Sequence, residues 1–361
     1  MVVSLVARTD RARAPARENP HTIGFTQTVL ALVGPTATGK TALSLALAER
    51  LPVELVSADS RMVYRWMDIG TAKPSPEERA RVPHHLVDVA DPDEHYTLAL
   101  YQQQALAAIQ RIHRRGRLPV LVGGTGLYIR AVCDGLQIPA VPPDSEFRAA
   151  LEARAARDGW QALQADLAAV DPESAARIEA RNVRRVIRAL EVHHATGTPF
   201  SDWQRRRPVP FETLFIGLDL PRELLYERIN RRVEGQVDAG LVQEVRGLVE
   251  RGYDSSNPSM TGFGYRELAQ LLRGELDREA ALNQYKQATR RYARRQQTWF
   301  RPDDRITWLD ARTAVTTAPD EVLARLQACL QQRPTTRGLS AGDGHPTSGI
   351  SPLGTDTTSH V

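Results

Sequence analysis

The chain of 361 residues is 42% hydrophobic and 25% charged, which is enough to bury an ordinary core in one large domain with a small one, or in two domains. Its net charge of +4 is a mild excess that matters only where basic residues cluster. The cysteines, Cys133 and Cys329, lie far apart without zinc-site spacing, and no run of eighteen apolar residues could span a membrane. We therefore expect a cytoplasmic chain with free thiols and no membrane segment.

The first third of the chain alternates between strand and helix patterns. TVLALVG at 28–34 is an apolar run typical of a buried parallel strand, and KTALSLALAERL follows with helical spacing. VELVSADS at 53–60 predicts a second buried strand. A long helix that ends at Gly116 comes next, and LPVLVGGTGLYIRAV predicts a strand, a glycine turn and a helix. This alternation indicates a parallel α/β sheet.

The pattern changes after residue 138, where several prolines interrupt the chain. Residues 144–203 are rich in Ala and Arg and have helical character without a convincing strand. Strand character returns in FETLFIGLDLP at 211–221, and after further helices RITWLD predicts a last strand. The composition of both termini favours disorder. The predicted organisation is a flexible extension at 1–26, an α/β core at 27–138 and 207–331, a helical insertion domain at 139–206 and a disordered tail at 332–361.

The segment GPTATGKT between the first strand and the first helix fits the phosphate-binding pattern G-x-x-x-x-G-K-[ST]. Backbone amides and the helix N-terminus of such a loop attract phosphate, Lys40 adds a mobile positive charge, and Thr41 can reach a Mg²⁺ ion bound to phosphate. The fold class is therefore α/β, with a P-loop NTPase-like core. The loop recognises phosphate alone, so ATP and other phosphate esters stay open as ligands. The predicted phosphate-binding residues are Gly34, Pro35, Thr36, Ala37, Thr38, Gly39, Lys40 and Thr41.

Asp59 follows the second predicted strand, at the edge where a parallel sheet faces its ligand. A carboxylate in this place could bind Mg²⁺ or act as a general base on an incoming nucleophile. An aspartate that only stabilises a turn is equally compatible with the sequence ADS.

Longer motifs extend from this aspartate through the chain: VSADSRMVYRWMDIGTAKP, VPHHLVDVADPDEHYT, PVLVGGTGLYIRAV, RNVRRVIRALEV, TGFGYREL and TRRYARRQQTWFR. Together they resemble the bacterial tRNA dimethylallyltransferases, from about residue 29 to about residue 308. The resemblance implies a P-loop core with a helical insertion. It also implies transfer of a dimethylallyl group from dimethylallyl diphosphate to N6 of the adenosine that is 3′-adjacent to the anticodon, giving N6-isopentenyladenosine and diphosphate.

The resemblance also implies roles for single residues. Asp59 would be the general base for N6, while Lys40, Thr41 with Mg²⁺, and Arg232 would stabilise the leaving diphosphate. Arg228, one turn before Arg232, is the second candidate for a diphosphate contact. We expect a channel that RNA and donor enter from opposite ends. The residues that the resemblance places on the tRNA are Asp59, Ser60, Arg61, Met62, Thr125, Arg148, Arg184, Arg185, Val186, Ile187, Arg188, Thr261, Gly262, Phe263, Gly264, Tyr265 and Arg266.

A basic segment gives independent support for an RNA partner. Residues 286–301 carry six basic residues and no acidic one. Like charges four residues apart destabilise an isolated helix, and an anionic partner would relieve them, although a solvated basic face is also compatible. We therefore add Arg290, Arg291, Arg294 and Arg295 to the predicted tRNA contacts.

Two other functions stay open on the residues alone: a P-loop kinase of a small metabolite with Asp59 as base, and a non-catalytic RNA-binding regulator. A small-metabolite kinase does not need the basic helix or the insertion, and the intact Lys40, Thr41 and Asp59 favour chemistry over mere binding. We expect a monomer. We interpret His84 and His85, next to Asp88, as structural or substrate-lining residues and not as metal ligands.

Overall fold

The computed structural model describes residue 25 and residues 27–331. The predictions for the rest of the two termini therefore lie outside the described residues. Phe25, which the sequence analysis assigned to the extension, is buried in the main core. Among the described residues no helix is both long and apolar enough to cross a membrane.

A six-stranded sheet with only parallel pairings forms the centre of the fold, as the sequence predicts. The strand order is β3-β2-β4-β1-β5-β6. The short β3 is the only strand of the sheet for which the sequence offered no strand pattern. The strands are β1 (Thr28–Val33), β2 (Val53–Ser57), β3 (His84–His85), β4 (Leu118–Val122), β5 (Glu212–Asp219) and β6 (Ile306–Asp310).

Alternate side chains of β1 point to opposite faces of the sheet and join two hydrophobic clusters. Leu30 and Leu32 pack on one side with Leu43, whereas Val29 and Val33 pack on the other side. Both faces are covered by helices, which is why the strand reads as a continuous apolar run. The helices of this part are α1 (Lys40–Ala48), α2 (Pro76–Arg81), α3 (Leu98–Arg114) and α4 (Gly126–Cys133).

Four helices follow between α4 and β5 and pack around a hydrophobic cluster of their own. Val186 and Ile187 are buried in this cluster with Leu163 and Leu167. The prediction that Val186 and Ile187 contact tRNA is therefore wrong for their side chains, which stabilise the insertion instead. The helices are α5 (Ser145–Asp158), α6 (Trp160–Val170), α7 (Pro172–Arg177) and α8 (Val183–Thr196).

The C-terminal helices form a third cluster on the segment that follows Asp59. Val233, Leu268 and Tyr285 pack there against Val63 and Met67. This contact holds the 63–74 segment beside the carboxyl edge of the sheet. The helices are α9 (Arg222–Asp238), α10 (Leu241–Glu250), α11 (Tyr265–Leu272), α12 (Arg278–Phe300) and α13 (Ala318–Gln331).

Candidate active site

The predicted phosphate loop connects β1 to α1 at the carboxyl edge of the sheet. Gly34 has φ +125°, and a Cβ there would lie 2.4 Å from the carbonyl oxygen of Leu218 on β5. Gly39 has φ +94° and immediately precedes α1. Both glycines are therefore required by the backbone path, because other residues are strained at positive φ.

Not all of the loop amides that we predicted as phosphate donors are available. Pro35 has no amide hydrogen. The Thr36 N–H donates to the side-chain oxygen of Gln296, at 2.8 Å. Thr38 is fully buried and its hydroxyl donates to the Pro35 carbonyl, at 2.9 Å, so its side chain shapes the loop. The cradle for a phosphate therefore begins at Ala37.

Lys40 lies in the loop with its ammonium folded onto backbone carbonyls. Nζ donates to the carbonyl oxygens of Gly34, at 3.0 Å, and Pro35, at 2.6 Å. Burial, together with the positive charge of Arg232, lowers the pKa of Lys40 to about 7, against the opposing effect of Asp59. Three groups that we predicted as catalytic thus lie close enough to influence one another, and a bound anion would offset the two positive charges.

A cavity of about 500 Å³ extends from this loop. Thr41, Asp59 and Arg232 line it, and Arg228 lies on the same wall. The walls away from the loop include apolar side chains, which suit a hydrocarbon group: Leu45, Leu55, Met62, Pro74, Val87 and Val122. Met62, which we expected on the tRNA side, lines this donor-side cavity.

A second cavity, of about 180 Å³, adjoins the first. Thr36, Asp59, Arg232 and Tyr292 line both of them. The carboxylate of Asp59 accepts the Arg61 N–H at 2.8 Å, so it also stabilises the turn. The turn interpretation of this aspartate is therefore confirmed, and its role as a base or Mg²⁺ ligand stays a prediction.

Besides Asp59, five residues that the resemblance places on the tRNA line the second cavity, together with Arg295 of the basic segment: Ser60, Arg61, Gly262, Phe263 and Tyr265. Arg61 donates to the Pro258 carbonyl, at 2.7 Å, and to the Thr261 hydroxyl, at 3.1 Å. Thr125 accepts the Ser60 N–H at 3.0 Å. Segments distant in sequence thus meet around Asp59.

Tyr265 and Gly264 of the TGFGYR motif have structural roles. Tyr265 is 1% exposed and its hydroxyl donates to Glu244, at 2.6 Å, so this hydroxyl already has a partner within the protein, and the tRNA contact of Tyr265 stays a prediction. A Cβ at Gly264 would lie 2.7 Å from the ring of Tyr285, so this position shapes the turn before α11. Arg266 is exposed and pairs with the buried Glu267, at 2.5 Å.

Two of the predicted arginines in the insertion bind the same buried carboxylate. Arg148 forms two hydrogen bonds to the buried carboxylate of Glu191, at 2.7 and 2.8 Å, and Arg188 forms a third, at 2.5 Å. Arg184 and Arg185 on the same helix are exposed. None of these arginines lines either of the two cavities.

The basic helix α12 points its arginines in different directions, because neighbouring helical residues differ by about 100°. Arg295 lines the second cavity and lies over the ring of Tyr292. Arg290 donates to Asn230, and Arg294 lines a separate cleft. Arg291 is exposed. The four arginines therefore have different surroundings, and their contact with tRNA stays a prediction.

Three further observations bear on metal ions. Thr41 and Asp59 offer oxygen atoms to the same cavity, the ligand type that Mg²⁺ prefers. Within residues 27–331 there is no cluster of three His, Cys, Asp or Glu that could hold a metal by itself. His85 contacts Glu54, whereas Asp88 pairs with Lys73 and Arg79, so the histidines and this aspartate form no common site.

Gln296 and Glu244 are the positions that sequence reasoning missed. Gln296 bridges two site loops, and Glu244 accepts the N–H groups of residues 68–70, at 2.7 to 3.2 Å. Neither lies in a short motif of its own that would predict these contacts.

Comparisons with known proteins show which family this chain resembles. Residues 62–303 match the family model described as IPP transferase. The chain is 55% identical over 304 residues to the tRNA dimethylallyltransferase of Roseiflexus castenholzii, covering 84% of this chain and 97% of that protein. The crystal structure of a tRNA isopentenylpyrophosphate transferase from Bacillus halodurans is similar with a TM-score of 0.63 and 41% identity, covering 85% of this chain and all of the other. A eukaryotic dimethylallyltransferase crystallised acting on tRNA gives a TM-score of 0.74 at 28% identity, covering 86% and 81% of the two chains. The chain therefore belongs to the IPP transferase family.

Proposed function

We propose that this chain transfers a dimethylallyl group from dimethylallyl diphosphate to N6 of an adenosine in tRNA, next to the anticodon on its 3′ side. The observation that carries the proposal is the position of Asp59, in both the cavity that starts at the phosphate loop and the cavity lined by Arg61 and Arg295. A donor and an acceptor that enter from these two sides meet at this carboxylate.

The donor side supplies electrostatic stabilisation. As the bond between C1 of the allyl group and the diphosphate oxygen breaks, its electron pair and negative charge pass to the diphosphate. Lys40 and Arg232 line the cavity where that charge develops. Groups aimed at developing charge contribute most to the rate, and removal of one such donor typically costs about 2.7–4 kcal/mol. Mg²⁺, held by Thr41 and the diphosphate, would neutralise part of the same charge.

The acceptor side supplies the base. The N6 amine is a poor nucleophile because its lone pair is delocalised into the purine ring, and it must lose a proton as the bond to C1 forms. Asp59 accepts that proton and selects an amine through the hydrogen bond. The adenosine must leave the stacked anticodon loop to reach this position, and single-stranded loop bases do so at modest cost.

The proposed tRNA surface includes the second cavity and the insertion. Arg61 and Arg295 line the cavity, Arg61 donates to Thr261, and the exposed Arg184 and Arg185 offer positive charge on the insertion. Arginine contacts to phosphate give affinity that falls with salt concentration. One chain lines both cavities, so the reaction needs no second copy.

The test is the reaction itself. The protein is incubated with isotope-labelled dimethylallyl diphosphate, Mg²⁺ and unmodified tRNA, and the label is followed into RNA. We expect label in tRNA, and none in a transcript whose acceptor adenosine is replaced by guanosine. Lys40→Ala serves as a variant with an impaired cradle. ATP consumption without label in RNA would overturn the proposal and indicate a kinase.

A further inference from the structure

Gln296 on α12 lies between two glycine-containing loops of the active site. It is 4% exposed. Its side-chain oxygen accepts the Thr36 N–H at 2.8 Å, and its side-chain nitrogen donates to the Gly124 carbonyl at 2.8 Å. Both the oxygen and the nitrogen of the Gln296 amide are therefore hydrogen-bonded to backbone groups of the protein.

The neighbouring glycines make room for this bridge. A Cβ at Gly124 would lie 1.9 Å from the side-chain nitrogen of Gln296, so no other residue fits there while the bridge is in place. A Cβ at Gly123 would lie 2.1 Å from the carbonyl oxygen of Ala58, directly before Asp59. Packing therefore explains why both positions 123 and 124 are glycine.

Further hydrogen bonds connect the 123–125 loop with the residues on either side of Asp59, the proposed base. Thr125 donates its N–H to the Ala58 carbonyl at 3.1 Å, and its hydroxyl oxygen accepts the Ser60 N–H at 3.0 Å. Residues on both sides of Asp59 are therefore hydrogen-bonded to the loop that Gln296 holds. One chain of contacts connects the phosphate loop, where the donor's diphosphate would bind, with the carboxylate that receives the proton.

We propose that Gln296 is a positioning residue for the transfer step, an inference that rests on the proposed function. It holds the phosphate loop and the 123–125 loop at a constant separation, and so sets the distance between the donor carbon and the base. It also keeps the Thr36 amide away from the diphosphate, which defines where the cradle begins.

Only a primary amide can fill this role. The side chain must accept a hydrogen bond from the Thr36 N–H and donate one to the Gly124 carbonyl at the same time. Its polar atoms must lie about three to four bonds from the Cα atom of the helix residue. A glutamate in its place would accept from Thr36 but bring a negative charge against the Gly124 carbonyl. A methionine would leave both backbone groups without a partner.

The test compares three variants with a control on the same helix. Gln296→Met, Gln296→Glu and the shorter Gln296→Asn each break at least one contact. Gln297→Met is the matched control, since Gln297 donates to Asp219 at 2.9 Å and lines the separate cleft. The measurements are kcat and KM for tRNA and for donor, tRNA Kd and thermal unfolding of each full-length variant.

We expect kcat to fall about 10-fold to 100-fold in the Gln296 variants, because misplacement of reacting groups by about 1 Å can cost that much. tRNA Kd should stay within about threefold, and Gln297→Met should retain its kcat. If a Gln296→Met protein fails to fold, the Asn and Glu variants decide the matter. A wild-type kcat in the folded variants, or a loss of tRNA affinity without a loss of kcat, would overturn the inference. If the wild type itself labels no tRNA, the proposed function fails instead.

Discussion

The sheet-edge site and the helical insertion hold their functional side chains in different ways. At the sheet edge, Asp59 and Lys40 are fixed by hydrogen bonds to the backbone of the loops that follow β2 and β1, the parallel strands on either side of β4. In the insertion, Arg148 and Arg188 depend on one buried side chain, Glu191.

The backbone connection between the two regions is also short. The insertion leaves and re-enters the core through two short segments that pair with each other, with Gln137 N–H donating to Arg205 at 3.2 Å and Arg207 N–H donating to Gly135 at 2.9 Å. This difference leads us to expect different consequences of substitutions in the two regions. Damage at the sheet edge should reduce the rate of chemistry, and damage in the insertion should reduce RNA affinity and local stability.

The largest effect is expected from Asp59→Asn. The amide keeps the shape and can still accept the Arg61 N–H, but it cannot take a proton from N6. General-base catalysis typically contributes 10²–10⁴-fold, so kcat should fall by about that factor while the Kd values for tRNA and donor change little. Single-turnover kinetics and binding measurements separate the two quantities. The exposed Asp93 provides the control Asp93→Asn, and a wild-type kcat in Asp59→Asn would remove the base assignment.

A pair of glycine substitutions compares backbone constraint in the two regions. Gly34 and Gly197 both have positive φ, +125° and +67°, but only Gly34 has a neighbour within 4 Å of an added Cβ. Gly197→Ala, at the end of α8, should cost about 1–2 kcal/mol of stability from strain alone. Gly34→Ala should cost roughly 3 kcal/mol or more, since the β1–β5 contact must also shift, and should abolish donor binding.

Denaturant unfolding and calorimetric titration with dimethylallyl diphosphate check this pair. Equal losses of stability in the two variants would show that the contact with Leu218 does not matter.

How much of the structure can be predicted from the sequence depends on how far apart in the sequence the interacting residues lie. Five of the six strands, all but the two-residue β3, and the phosphate loop follow from short runs of sequence, because burial on both faces of a parallel sheet leaves a continuous apolar pattern. Asp59 could be found because it follows such a strand directly. Gln296 could not, since its partners are 260 and 172 residues away and only the packed fold brings them together.

The faces of a helix explain why the prediction of tRNA contacts is wrong for the side chains of Val186 and Ile187. A sequence motif covers consecutive residues, whereas a helix turns them to different sides. Val186 and Ile187 are core residues between exposed arginines and Arg188, and Arg294 and Arg295 line different clefts. The apolar character of residues 186 and 187 was visible in the sequence and would have separated them from the RNA contacts, but nothing local distinguishes one arginine of α12 from the next.

The smallest of the three effects is expected in the insertion, from Glu191→Gln. Arg148 and Arg188 would lose their charged partner, although both side chains keep partial access to water. Loss of hydrogen bonds to a charged group costs about 1–3 kcal/mol, so thermal unfolding should shift modestly. KM for tRNA should rise because the two arginines are no longer held in place, while kcat at saturating tRNA should stay near that of the wild type. A fall in kcat with unchanged KM would contradict the separation of the two regions.

The pH dependence of the same variant tests the physical cause. Burial raises the pKa of Glu191, but hydrogen bonds from Arg148, the Asp144 amide and Arg188 outweigh it and lower the pKa from 4.5 to about 2. A lowered pKa in the folded state means that the carboxylate stabilises the fold above about pH 4.5, and that this contribution is lost as the pH falls towards 2.

The difference in stability between wild type and Glu191→Gln should therefore be constant from pH 7 down to about 5 and shrink below that. Thermal unfolding across this range measures it. The control is Glu173→Gln, which breaks an exposed ion pair with Arg177 in the same insertion and should change stability by less than about 0.5 kcal/mol at any pH. A stability difference that stays constant below pH 4 would show that Glu191 acts through its shape and not through its charge.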